Sequence, residues 1–131
     1  MLAISYYCNT KTIVRHVNIS PQMPLAIAVD EKGAISVDHA LSMEDIDPIQ
    51  HVADTLDELL AQASKHGITM AKFDTARGAL YLNISQSTPI WFSSRPDNDL
   101  DTTRLHYCGK GYNVYANKTR VIDTIESALA S

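Results

Sequence analysis

The sequence predicts an α+β domain: a mostly antiparallel sheet built of hairpins, with two helices, at about residues 47–66 and 118–130, packed on one face. Three observations carry this reading. Apolar residues alternate with a period of two over most of the chain, two stretches switch to helical spacing, and short polar or glycine-bearing turns separate neighbouring alternating runs. The resulting order is four strands, a helix, five strands and a helix, in one domain of 131 residues without repeat or linker.

Leu2, Ile4 and Tyr6 alternate, as do Ile13, Val17 and Ile19, with Asn9-Thr10-Lys11 as the turn between them. Leu25, Ile27 and Val29 then lead to Asp30-Glu31-Lys32-Gly33, and Ile35 and Val37 resume beyond this turn, where Gly33 can take a positive φ. Asp47, Pro48 and Gln50 read as the start of a helix, through a capping residue, a first-turn proline and a capping box. Ile49, Val52, Ala53, Leu56, Leu59, Leu60 and Ala63 form its apolar stripe, and Gly67 is its expected left-handed terminator.

Beyond Gly67 the period returns to two. Runs 68–73 and 79–84 flank the turn Asp74 to Gly78, and Pro89 opens a further strand through Ile90, Trp91 and Phe92. After an irregular stretch from Ser94 to Thr103, Leu105 and Tyr107 pair with Tyr112 and Val114 around a glycine turn. Asn117 or Thr119 then caps the final helix, whose stripe is Val121, Ile122, Ile125, Ala128 and Leu129.

A hydrophobic fraction of 45% suits a packed core. The formal charge of -4, with scattered lysines and arginines, argues against nucleic acid as a partner, because phosphate binding gathers basic residues on one face. No apolar run approaches the ~20 residues of a spanning helix, so no membrane partner is expected. The first residues read as a strand rather than a signal peptide, which places the chain in the cytoplasm, with Cys8 and Cys108 as free thiols by default and a disulfide between them as the alternative in an oxidising compartment.

Motifs for catalysis are missing: there is no phosphate-cradling glycine loop, no G-x-S-x-G and no H-E-x-x-H. No cofactor and no catalytic residue is therefore assigned. His106 and Cys108, two apart on an expected strand, would share a face as a thiolate dyad requires, but no third group orients them. Asp97, Asp99 and Asp101 begin like a calcium loop, yet Thr102 and Cys108 stand where such a loop needs Gly and Glu, so no metal site is expected.

The order of elements from Leu25 to Phe92, hairpin, helix, hairpin and strand, is similar to that of Roadblock-type scaffold domains, although strands precede it where those domains have a helix. The resemblance implies an interaction role and assigns no residue. Contact residues are read from chemistry instead: the acidic set Glu44, Asp54, Asp57 and Glu58 can steer a basic partner, and Trp91 and Arg95 are hot-spot residue types. The first functional reading is thus a small acidic binding or inhibitory module, of the immunity-protein or antitoxin kind, acting on a protein partner or on a second copy. The alternative is a small-molecule site, enzymatic or not, between sheet and helices, lined by tyrosines with His106 or His16.

Overall fold

The computed structural model describes residues 1–39, 51–93 and 101–130. Its elements are β1 (Leu2–Cys8), β2 (Lys11–Val17), β3 (Leu25–Asp30), β4 (Ile35–His39), α1 (Leu56–Lys65), β5 (Met70–Thr75), β6 (Gly78–Asn83), β7 (Ile90–Ser93), β8 (Thr103–Tyr107), β9 (Lys110–Val114) and α2 (Lys118–Ala130). The expected class and order are those observed. β1 and β2 form a separate ribbon, and the other strands make one sheet in the order β4-β3-β6-β5-β9-β8-β7, with every pair antiparallel.

Strand alternation on β3 divides the core in two. Leu25 and Ile27 join Val37, the ribbon residues Leu2, Ile4 and Val17, and Leu59 and Ala63 of α1. Ala26 joins Leu80, Leu82, Phe73, Leu105, Tyr107, Val114 and Val121 of α2. Successive strand residues point to opposite faces, so the two helices divide between the faces of β3 and do not share one. The second layer over the first face is needed because Leu25, Ile27 and Val37 are each at most 2% exposed, which one 10-residue helix does not cover without the ribbon.

α1 begins later than the apolar stripe implies. Asp47, Pro48 and Gln50 lie outside the described residues, and residues 51–54 are not helical: His51 takes a left-handed φ of 55° and Val52 forms a β-bridge to Tyr6. They cover the free edge of β1: Tyr7 donates its amide to the His51 carbonyl at 2.9 Å, and Ala53 donates to the Ser5 carbonyl at 2.7 Å. Backbone groups of β1 would otherwise lack partners, and that requirement overrides the helical spacing of Val52 and Ala53. The helix is started by Thr55, whose hydroxyl accepts from the Glu58 amide at 3.2 Å, while the Glu58 carboxylate receives the Thr55 amide at 3.5 Å. It ends where Gly67 takes φ 77°, as the sequence predicts. Asn117 caps α2, its side chain accepting from the Arg120 amide at 2.9 Å.

Among the described residues, no helix is long and apolar enough to cross a membrane.

Candidate functional site

The seven-stranded sheet is nearly split between β5 and β9, which meet only at Thr75 and Val114. One further bond, from the Tyr115 amide to the Asp74 carbonyl at 2.7 Å, holds the junction. Beyond it β9 leaves β5, and β8 and β9 fold back across β3, β6 and β4. Two contacts fasten the fold-back. The buried Tyr107 hydroxyl donates to the Asn83 carbonyl at 2.6 Å and accepts from the Leu25 amide at 3.1 Å; Lys110 pairs with Asp38 at 2.6 Å.

A turn of two left-handed residues, Cys108 at φ 50° and Gly109 at φ 90°, joins β8 to β9. Such a turn is closed by a hydrogen-bonded pair, here Tyr107 and Lys110, so the backbone groups of Gly111 and Asn113 point away from β8. They face the gap that β5 has left. The outcome is a cleft of about 700 Å³, bounded by β3 and β4 on one side and β9 on the other. Its apolar lining comes from Ala28, Val29, Ile35, Ala79 and Leu80; small residues at 28 and 79 leave volume that larger side chains would fill.

The polar lining is mainly cationic. Arg77, Arg104 and Lys110 lie along the cleft with the carboxylates Asp30 and Asp38. Asp30 is engaged in its own turn, accepting the Lys32 amide at 2.9 Å and the Ala34 amide at 2.8 Å, and Asp38 holds Lys110. Arg104 donates to the Asn113 side chain at 3.0 Å and lies against Gly111, where a Cβ would come within 2.6 Å of its Nη2. Tyr112 completes the lining, its phenol pushed up to about 12 by burial first and then by the charge of Asp38, so it stays protonated near neutral pH.

His39 ends β4 one residue from this wall and is 2% exposed. Burial, then the charge of Arg15, lowers its pKa below the usual 6.5, against the opposing pull of Asp38. The unfolded chain therefore binds the proton more readily. Neutral His39 contributes its full stability above pH 6.5, and that contribution is lost as pH falls through 6.5 towards the folded value. The melting temperature of the wild type is expected to drop more between pH 7.5 and 5.5 than that of His39→Gln, measured by calorimetry; equal drops would remove His39 as the cause.

The residues singled out from sequence do not converge on this cleft. Glu44 and Arg95, like Asp97 and Asp99, lie outside the described residues. Asp54 accepts the Ser5 amide at 2.6 Å, Glu58 serves the helix cap, and Asp57 is exposed in the first turn of α1. Trp91 is 58% exposed on the outer side of β7, its ring stacked on His106 with centroids 3.8 Å apart and planes 6° from parallel. Phe92, next to it, is the one that packs inward.

The dyad of His106 and Cys108 does not form. The strand ends at Tyr107, so alternation stops before Cys108, whose Sγ donates to the Pro89 carbonyl at 3.7 Å. Burial pushes this thiol up, the opposite of what a nucleophile needs. Both cysteines are free, and no group of three metal-ligating side chains occurs among the described residues. His16 lies on the exposed part of β2 and, like His106, does not line the cleft. Sequence reasoning passed over Arg77, Arg104, Lys110 and Asp38, and only the small residues Ala28 on β3 and Ala79 on β6 hint at open space there.

No family model, curated protein or solved structure matches this chain, and the likeness in element order to Roadblock-type domains gains no support from them.

Proposed function

We propose that this chain binds a small molecule in the cleft between β3–β4 and β9. The observation that carries the reading is the cleft itself, whose volume of about 700 Å³ falls within the ~300–1,000 Å³ of ordinary ligand sites. It also has their composition, an apolar floor with a few convergent polar groups. The sheet's fold-back builds it from rigid strands, so its geometry exists before any ligand arrives.

A thermal-shift series of small molecules tests this against Ala28→Leu, which fills the floor without touching a charge. Compounds that stabilise the wild type are expected to lose about tenfold or more in affinity in the variant. Equal binding by both proteins, or none by the wild type, would sink the reading.

A contact role with a protein partner, or with a second copy, is the second reading, and the exposure of Trp91 favours it. The acidic set lends it less, because Asp54 and Glu58 already serve bonds within the chain. In that case the partner would sit on the outer side of β7, around Trp91.

A further inference from the structure

We infer that the cleft takes a small organic oxyanion, a carboxylate or phosphate paired with Arg77 and Arg104, whose body rests on Ala28 and Leu80. The inference depends on the cleft being a ligand site and adds the class of ligand.

Charge balance is the first argument. Of the charged side chains along the cleft, Asp38 and Lys110 neutralise one another, and Asp30 is held by two amides of its own turn but keeps its charge, so Arg77, Arg104 and Lys110 exceed the two carboxylates by one. Two guanidiniums remain without a carboxylate partner among the described residues, in a chain whose formal charge is -4. The Arg77 side chain makes no hydrogen bond there, and Arg104 has one, to Asn113, which leaves most of its five N–H donors open.

Donor geometry is the second. Guanidinium forks match the oxygens of carboxylates and phosphates. Arg104 is placed for this by Gly111: with no side chain at 111, the guanidinium lies against β9 beside the outward-pointing backbone of Gly111 and Asn113. The amides of that edge and the protonated phenol of Tyr112 add neutral donors, and among the described residues the lining holds no ionised acceptor other than the two engaged carboxylates. The apolar floor then asks for a ligand with a hydrophobic body, which excludes inorganic phosphate as a good fit.

Benzoate, phenyl phosphate and benzamide are suitable probes, titrated into the ¹⁵N-labelled protein at low salt. Benzoate or phenyl phosphate is expected to shift the Gly111 and Asn113 amides, with benzamide weaker by about tenfold or more, and the stronger of the two acids identifies the anionic group. Arg77→Gln and Arg104→Gln should each weaken acid binding by about tenfold. Gly111→Ala should do the same with both charges retained, because its methyl displaces Arg104. Added salt should weaken the acids and leave benzamide unchanged. Benzamide binding as well as benzoate, or acid binding indifferent to both arginines, overturns the inference while the cleft reading stands. If none of the three probes binds, the inference also falls, and the cleft reading is then decided by the Ala28→Leu comparison.

Discussion

Replacing Gly78 by Ala is expected to destabilise the protein by about 3 kcal/mol or more, read from urea or thermal unfolding. Gly78 opens β6 at φ 132°, a region that side-chain-bearing residues rarely enter. A Cβ there would meet the Val29 carbonyl oxygen at 2.0 Å and Asp30 Cα at 3.0 Å, so the obstruction is backbone of the paired strand and cannot rotate away. Relief would require β3 and β6 to separate at Asp30 and Gly78, beside the mouth of the cleft. Gly109→Ala provides the control. It also has a positive φ, of 90°, but nothing lies within 4 Å of the added methyl, so its cost should be only the backbone term, about 1 kcal/mol. Similar losses for the two variants would mean that close approach of β3 is not what requires glycine at 78.

Tyr107→Phe is expected to cost about 2–3 kcal/mol, a large effect for the loss of one oxygen. The ring is fully buried, and the variant keeps its packing. Removing the hydroxyl strips the Leu25 amide and the Asn83 carbonyl of a partner in a place that excludes water. Burial, above all, holds the phenol above its ordinary pKa, so the hydroxyl is a neutral donor near neutral pH. Because this contact joins β8 to β3 and β6, faster amide exchange should appear at Leu25 and along β8 while α1 and the ribbon are unchanged. Uniform loss of protection would instead indicate an ordinary cavity cost spread through the core.

The fold was legible in the sequence wherever one element's pattern is self-contained. Turn chemistry marked the hairpins at Gly33 and Gly78, the helix terminator at Gly67 and the cap at Asn117, because each acts over a few residues. α1 was extended too far because Val52 serves the core from an extended segment, and partial burial alone does not reveal the backbone that carries it. The division of helices between two faces was hidden for a related reason: β3 is apolar on both sides, Leu25 and Ile27 against Ala26 and Ala28, which alternation reads as one run.

The site was legible least. Asp38 and Lys110 are 72 residues apart and meet only because β9 breaks from β5 and returns. That break depends on strand pairing between distant segments, which no local spacing encodes. The residues that sequence chemistry did favour, Asp54 and Glu58, are acidic where a part-buried edge-strand amide and a helix start require acceptors. Trp91 is the exception: its exposure beside a half-buried Phe92 follows from alternation once one of the pair is known to face inward.

The most direct measurement is of intermolecular nuclear Overhauser effects between a stabilising compound and the methyl groups of the wild-type protein. Contacts to Ala28, Ala79 and Leu80, which line the cleft, are the expected result. Contacts confined to α1, or to residues around Trp91 on the outer side of β7, would contradict the assignment of the cleft as the functional site.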